Sequence, residues 1–506
     1  MEKAGTTFLG KRTWIRILVL AILFLGGLII RLYDITDLPL DFHPTRQLFT
    51  AIVARARYYQ GLSTVPQWQR DLSAKMVKAE VTDAPVYDGL VALTYKVVGQ
   101  ENLVIPRIYS ILFWLIGGIG LYLLARDLTS AEGGLISTAV YLFLPFGIIS
   151  SRAIQPDPLM TTLIIFCWWS MYRWLQQRSW RWTIIAGVLG GLAILVKALG
   201  AFSILGGFLA LILVYGIRKS IKDIQFWMMG LIAAFPTLIY MAIGFFVEKN
   251  LGSQFSLRFF PKMWISLVFY LQWERMIEEV IGLAIFVVAI IGIFFFSSKQ
   301  KKYFIMSLWI AYFIYGLVFS YYFSTHNYYH MTLIPIVALS LAALEDYLYQ
   351  KLRELNPNWM AKVSITAVIS VGLFANAWDV RDTLHKTNYR GQDQYWAKIG
   401  ETLGHDTSVV ALTQDYGYRL EYWGWVMPAT YWPYVGDTQL RINAGMSQPD
   451  FEKQFAEAIQ NRQYFLVSDL AELNNQPDLK EKLSKYAIYA QGDGYIIYDL
   501  LHPLGG

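Results

Sequence analysis

The chain has 506 residues, 55% hydrophobic and only 16% charged, and a mean hydropathy of +0.38, which excludes an ordinary soluble globular protein. Its net charge of +6 comes from Lys and Arg scattered through short loops between apolar runs, a topological pattern and not the basic stripe of a nucleic-acid binder. The single cysteine, Cys167, excludes a disulfide framework and a Cys-based metal site.

With about 20 apolar residues per span as the ruler, runs fall at 14–32, 103–124, 132–150, 158–175, 182–197, 201–217, 224–246, 280–297, 303–323, 330–348 and 361–379. This predicts a mainly α, polytopic membrane protein of about eleven transmembrane helices. The first run follows Lys3, Lys11, Arg12 and Arg16 without a small-residue cleavage site, so it is expected to stay as a signal anchor. Cys167, inside the fourth run, is expected to be a buried structural thiol. With the N-terminus cytoplasmic, the inside loops carry Arg126; Arg173, Arg178 and Arg181; Arg218, Lys219 and Lys222; Lys299, Lys301 and Lys302; and Lys351 and Arg353, as the positive-inside rule requires of a multi-pass cell-membrane protein.

The first outer loop, 33–102, is basic as well. Within it Leu48, Ile52 and Ala56 recur at helical spacing while Arg46, Arg55 and Arg57 lie elsewhere on the wheel, which predicts a helix lying in the membrane interface. A second such helix is predicted from Val86 to Val98. Residues 380–506 change character: strand-like runs at Ser408–Leu412, Tyr464–Val467 and Tyr495–Leu500 and helix-like stretches at 449–461 and 478–485 predict a small α/β extracytoplasmic domain. The expected division is a transmembrane domain over 1–379, including the loop 33–102, and a soluble domain over 380–506.

Three polar segments punctuate the apolar chain on the predicted outer side: Asp41-Phe42-His43-Pro44-Thr45-Arg46-Gln47, Asp83-Ala84-Pro85-Val86-Tyr87 and Arg152-Ala153-Ile154-Gln155-Pro156-Asp157. Acids and arginines gathered at one membrane face suit a lipid-phosphate site. Asp41 can take a proton from an attacking hydroxyl and Arg46 can hold a phosphate; equally, Asp41 is the kind of turn acid that caps a helix starting near Thr45. Asp83, with Glu80 behind it and Lys75 and Lys78 upstream, can bind a metal or a phosphorylated lipid, or belong to a solvated proline turn. Arg152 and Asp157 flank a helix start where capping is ordinary. Lys197, at the outer end of a span, either snorkels to the interface or meets a phosphate. His326 and His330, four apart beside Tyr328 and Tyr329, fit a metal site or the interfacial aromatic belt. The aromatics Tyr422, Trp423, Trp425, Tyr431, Trp432 and Tyr434 can stack on sugars or pack the small domain. Neither a Walker A sequence nor a Rossmann glycine fingerprint occurs, so nucleotide-driven chemistry has no support.

Taken in order over roughly residues 14–350, these segments resemble the polyprenyl-phosphate-sugar-dependent glycosyltransferases of the GT-C superfamily, which include protein O-mannosyltransferases and the lipid A aminoarabinose transferase. The resemblance rests on the acid after the first span leading into Arg46-Gln47, on Asp83 to Tyr87 followed by Leu90 to Lys96, on Arg107, on Arg152 to Asp157, on Lys197 after a glycine-rich span, and on His326 to Tyr329 before Pro335. It implies inverting transfer on the outer face from a polyprenyl-phosphate sugar to the hydroxyl of a lipid, glycan or protein. Asp41 matches the first acid and would be the general base; Asp83 matches the second acidic position and would position the acceptor or a metal. Arg46, Lys78, Arg152 and Lys197 would hold the donor phosphate, with Glu80, Tyr87, Asp157, His326, Tyr328 and Tyr329 supporting the site. Phe42 stands where the family often has a second acid, and Asp83-Ala84-Pro85-Val86 replaces Glu-Lys-Pro-Pro, so Lys75 or Lys78 would substitute for the missing lysine. The pattern fixes no cofactor and leaves a divalent metal open. The rival classes are a lipid or sugar transporter, which would place polar residues near the membrane midplane and perhaps repeat itself internally, and a membrane scaffold with an outer binding domain, which would tolerate loss of Asp41 and Asp83.

Overall fold

The computed structural model of the chain describes residues 13–79, 83–247, 259–354, 359–405, 408–443 and 446–504. In chain order its helices are α1 (Thr13–Leu32), α2 (Pro44–Tyr59), α3 (Gln67–Ala79), α4 (Tyr87–Val98), α5 (Val104–Leu128), α6 (Ala131–Phe143), α7 (Pro145–Ser150), α8 (Asp157–Gln177), α9 (Trp180–Val196), α10 (Gly200–Tyr215), α11 (Ile217–Lys222), α12 (Ile224–Ala242), α13 (Leu267–Ile281), α14 (Leu283–Gly292), α15 (Lys299–Val318), α16 (Ser320–Thr325), α17 (Leu333–Glu354) and α18 (Trp359–Lys386). A mixed region follows with α19 (Gln392–Thr402), β1 (Val409–Leu412), α20 (Tyr418–Gly424), β2 (Thr430–Tyr431), α21 (Val435–Asn443), α22 (Phe451–Ile459), β3 (Tyr464–Val467), α23 (Leu470–Asn474), α24 (Pro477–Leu483), β4 (Tyr486–Gly492) and β5 (Tyr495–Pro503). By contact the chain divides into two units: Met1–Ile35 with Thr82–Tyr87 and Val104–Thr387, and Thr36–Val81 with Asp88–Leu103 and Asn388–Gly506.

The first unit is a helical membrane bundle. Among its described residues five helices are long and apolar enough to cross a membrane: Thr13–Leu32, Val104–Leu128, Ile224–Phe246, Leu333–Leu352 and Val363–Lys386. A sixth span arises if the pair α13 and α14, bent by 87°, is counted as one. Helix occupies every predicted run, but some runs are broken or bent, two of them for reasons the sequence carries. The run 132–150 breaks at Leu144, which turns extended before Pro145 opens α7; proline has no N–H to continue the ladder. The run 280–297 catches only the second arm of the bent pair, whose corner is Gly282 at φ +80°, a conformation glycine adopts freely. Inside the bundle, Trp114 of α5 stacks on Tyr141 of α6 with ring centroids 4.2 Å apart. Gly117 makes that approach possible, since a Cβ there would stand 2.6 Å from the Tyr141 and Thr162 hydroxyls. Cys167 is buried, its thiol directed at the Ala186 carbonyl.

Arg31, near the end of α1, is fully buried. Its guanidinium donates to the Ser151 hydroxyl at 2.7 Å and to the carbonyls of Gly27, Leu142 and Gly147 at 2.8, 3.0 and 3.3 Å. The charge thereby ties α1 to the break between α6 and α7, where the end of α6 leaves the Leu142 carbonyl without an intrahelical donor.

The second unit contains a five-stranded sheet in the order β2-β1-β3-β5-β4. β2, β1 and β3 run parallel, while β5 is antiparallel to both β3 and β4. β1 and β3 are buried at every residue, as parallel strands covered on both faces are. Alternate residues serve opposite faces: Val410, Leu412, Phe465 and Val467 pack with Trp432, Phe455, Leu479 and Leu483, and Val409 and Leu466 pack with Trp396, Ile399, Leu420 and Ile497. Trp432 and Tyr422 are buried, so these aromatics serve the domain's packing.

The interfacial reading of 48–59 is corrected here. Residues 50–56 of α2 are buried without interruption, so the helix has no face left open to lipid headgroups along that stretch. Arg55, placed on the polar face of the wheel, is buried: it donates to the carbonyls of Tyr422 and, at 2.8 Å, Glu421. Its guanidinium also stacks 3.7 Å from the Trp425 ring centroid. The loop arginine is thus a clamp on the end of α20. The second predicted helix is present as α4, with Leu93, Val97 and Val98 exposed.

Candidate functional site

Residues from both units contribute the groups singled out in the sequence. In the second unit, Asp41 is half-buried in a turn ahead of α2. It is not the cap of that helix: α2 opens at Pro44, and the N-cap residue is His43, at φ +43° with no capping side-chain bond. A left-handed, non-glycine residue directly before a proline is a strained conformation that its surroundings must hold. The buried Gln47 supplies part of the hold. Its amide donates to the Phe42 carbonyl at 2.7 Å and to Asp41 Oδ1 at 3.1 Å, so one side chain fixes the turn and orients the carboxylate. Burial, followed by the nearby charge of Asp41, pushes the Tyr389 phenol above its ordinary range, with Arg419 acting against them. Asp37 accepts the Tyr389 main-chain N–H on both oxygens at 3.1 Å, which pins the start of the 388–506 segment to the loop. Arg46 is half-buried in the first turn of α2, and Lys78 is exposed in the last turn of α3. Glu80 lies outside the described residues.

In the first unit, the chain leaves α1 through Asp34 at φ +48°, and two buried arginines receive the exit. Arg152 Nη2 donates to the Asp34 carbonyl at 2.9 Å and Arg107 Nη1 to the Ile35 carbonyl at 3.0 Å. Arg152, expected at a phosphate, therefore also holds backbone. The Asp83 segment is fixed from two sides. The Tyr240 hydroxyl donates to the Asp83 carbonyl at 3.0 Å. Buried Tyr87 donates to the Pro106 carbonyl at 2.6 Å and meets the Ser110 hydroxyl at 2.7 Å, while Ser110 reaches the Ala153 carbonyl at 2.7 Å. Tyr87 is thus the strut that joins the second polar segment to the third.

Lys197, where α9 ends, and Asp157, the first residue of α8, form a buried ion pair. The ammonium stands 2.8 and 2.9 Å from the two carboxylate oxygens, and both side chains are 3% exposed. The rings of Tyr328 and Tyr329 lie 5.2 and 5.8 Å from the ammonium. The lysine does not snorkel outward; it sits in a low-dielectric pocket with one acid and two aromatic faces. His326 meets the Thr325 hydroxyl at 2.7 Å. His330 is buried with both ring nitrogens occupied, Nδ1 by the Tyr312 hydroxyl at 2.7 Å and Nε2 by the Phe323 carbonyl at 2.8 Å, so a metal site built on the pair His326 and His330 does not fit. Among the described residues no three His, Cys, Asp or Glu side chains cluster as a metal site.

Gln47, Arg31 and Tyr389 carry much of this construction without an assigned role from sequence, and Arg55 does so in place of the polar-face role the wheel suggests. Gln47 left a faint signal, a polar residue on the buried side of α2 one turn past the His-Pro start. Tyr389 left none, because it approaches Asp41 only through the fold.

Residues 82–241 match the profile of the dolichyl-phosphate-mannose-protein mannosyltransferase family. No curated protein sequence matches the chain. Among solved structures, ArnT from Cupriavidus metallidurans bound to undecaprenyl phosphate superposes with a TM-score of 0.55 at 13% identity, over 96% of this chain and 97% of that one. The oligosaccharyltransferase AglB from Archaeoglobus fulgidus, in complex with an inhibitory peptide and a dolichol-phosphate, gives a TM-score of 0.57 at 13% identity, over 96% of this chain and 74% of that one. The apo form of the Archaeoglobus fulgidus enzyme gives 0.58 at 15%, over 98% and 76%. The chain has the GT-C superfamily fold. The stretch matched by the mannosyltransferase profile holds Asp83, Tyr87, Arg107, Arg152, Asp157 and Lys197, each of which is held by a hydrogen bond or ion pair described above. Asp41, Arg46, Lys78, His326, Tyr328 and Tyr329 lie outside it.

Proposed function

We propose that the protein is an integral-membrane glycosyltransferase that moves a sugar from a polyprenyl-phosphate donor to an acceptor hydroxyl on the outer face of the membrane, with inversion. Residues 1–379 form the catalytic membrane domain of about eleven spans, with the N-terminus cytoplasmic, and residues 380–506 form the extracytoplasmic domain. The observation that carries the reading is the GT-C fold over nearly the whole chain, combined with a family profile that falls on the stretch rich in buried cations and acids. ArnT and AglB were solved with undecaprenyl phosphate and dolichol-phosphate, which supports a lipid phosphate as the leaving group here.

Asp41 is the general base. Its orientation by Gln47 favours a carboxylate that accepts the acceptor's hydroxyl proton as the oxygen attacks the anomeric carbon. The new bond forms from the face opposite the leaving group, and the electron pair of the breaking carbon–oxygen bond goes to the polyprenyl phosphate. That departing charge needs cations in a dry site, which Lys197, Arg152, Arg46 and Lys78 supply. Asp83 positions the acceptor or a divalent metal, and Glu80, Tyr87, Asp157, His326, Tyr328 and Tyr329 support the donor and acceptor.

The test is transfer of label by the purified protein in lipid nanodiscs, with a panel of polyprenyl-phosphate sugars and host membrane extract as acceptor. Asp41→Asn, folded by thermal unfolding, should lose about 10²–10⁴-fold in rate, the usual worth of a general base. Equal transfer by both forms would move the base elsewhere, with Asp83→Asn as the next variant. No transfer by wild type from any donor would count against the glycosyltransferase reading itself.

A further inference from the structure

α18 is anchored to the bundle by its last turns, where Val380 and Leu384 pack on Ile30 and Ile148. Along its membrane-spanning window only 6% of the residues are buried. Between that stretch and α1, α6 and α17 runs a groove of about 1300 Å³, larger than the ~300–1,000 Å³ of small-molecule pockets. Its walls are hydrocarbon along their length, with Ile22 and Ile29 of α1, Ala139 of α6, Leu341 of α17, and Ile369 and Leu373 of α18 facing it. In a bilayer such a space fills with acyl chain, because unfilled apolar walls forfeit their dispersion contacts.

The two ends of the groove differ in charge, and that difference selects a headgroup. One end carries Glu132, Glu345 and Lys351, with Arg16 paired to Glu132 and Lys351 paired to Glu354, so the cations described there are already spent on acids. The other end carries Arg381 between Tyr33 and Trp378, whose ring centroids are 5.4 and 5.0 Å from the guanidinium carbon. Arg381 has no hydrogen bond or ion pair among the described residues, and its chain neighbour Asp382 is taken by Lys386 at 2.6 Å. A half-buried guanidinium on two aromatic faces, with its donors unspent and an acyl channel below it, is matched to phosphate oxygens.

We propose that this groove seats an acidic phospholipid of the bilayer, its acyl chains between α18 and the α1, α6 and α17 wall and its headgroup phosphate on Arg381. The site is separate from the proposed transfer chemistry: none of Asp83, Arg152, Asp157, Lys197, Tyr328 or Tyr329 lines it. The occupant is the phospholipid that surrounds these helices and not the sugar donor.

Native mass spectrometry of the full chain, released from nanodiscs of equal phosphatidylglycerol and phosphatidylcholine, reads the bound lipid directly. Wild type should retain phosphatidylglycerol in preference to phosphatidylcholine, and Arg381→Gln should lower that preference about tenfold, the worth of one charge-assisted phosphate contact. Arg381→Lys should restore part of it. Ser370→Trp, which fills the groove from α18, should lose both lipids. Absence of preference in wild type, or an unchanged preference in folded Arg381→Gln, overturns the proposal. Displacement of phosphatidylglycerol by stoichiometric polyprenyl phosphate overturns the choice of occupant. Sugar transfer plays no part in the readout, so failure here leaves the proposed activity standing.

Discussion

Lys197 bonds both oxygens of Asp157 in a pocket closed to water, and a pair of that kind can be a structural joint or a cation kept ready for a donor. Removing one partner strands the other: Lys197→Met or Asp157→Leu should each cost about 3–5 kcal/mol, whereas the double variant should recover most of that loss. The double variant separates the two duties. A joint alone would leave donor KM unchanged once stability returns; a phosphate ligand would leave a stable enzyme with a raised donor KM. Steady-state transfer on both backgrounds reads the answer. The residue scale is also where sequence is least informative. Asp41 and Lys197 stand out by type and position, yet the capping role open to Asp41 is removed only by the geometry of His43 and Pro44, and the partner of Lys197 lies 40 residues away.

At the level of elements, the clamp between α2 and α20 contains a carboxyl group that titrates with folding. Glu101 stands 4.0 Å from Arg55; burial pushes its carboxyl above the ordinary 4.5, and Arg55 pulls the other way without overcoming it. The folded state therefore holds this proton to higher pH than the unfolded chain does. Its stabilising contribution is complete below pH 4.5 and is lost as pH rises through the raised folded value. Glu101→Gln should flatten the decline of thermal stability as pH rises above 4.5, and an unchanged slope would remove Glu101 as its source. The strands that sequence reveals are β1 and β3, buried at every residue, and β5, whose first part is the predicted run Tyr495–Leu500, because apolar runs bounded by polar residues leave one reading. β2 is two residues long, and β4 is an edge strand whose pairing slips at two places, so neither carries a period to detect. α2 was misread for the opposite reason: its wheel looks amphipathic, but Arg55 spends its charge on carbonyls and aromatic rings, which hydropathy counts as exposure.

For the molecule as a whole, hydropathy alone locates the membrane runs but not how many cross. Five described helices meet the length and composition of a span, while the other described helices are short, belong to the bent pair or fall short on composition. The proposed topology puts the two ends of the segment from Lys299 to Asn327 on opposite sides. Lys301→Cys and Asn327→Cys can test this because the native thiol, Cys167, is buried. In intact cells an impermeant maleimide should label the residue 327 variant and spare the residue 301 variant; labelling of both, or the reverse, would invert or break the assignment.

The anchoring of Arg31 has a consequence for how the chain is made. Its acceptors at Leu142, Gly147 and Ser151 are 111, 116 and 120 residues downstream, so at ~5–20 residues per second they leave the ribosome on the order of ten seconds after Arg31 does. Through that interval α1 holds a guanidinium whose long-range partners have not been synthesised, in a medium that penalises charge. Biogenesis must keep α1 beside the insertion machinery, or near the headgroups, until α6 and α7 arrive, and a translational delay between them would lengthen the window in which quality control can remove the nascent chain.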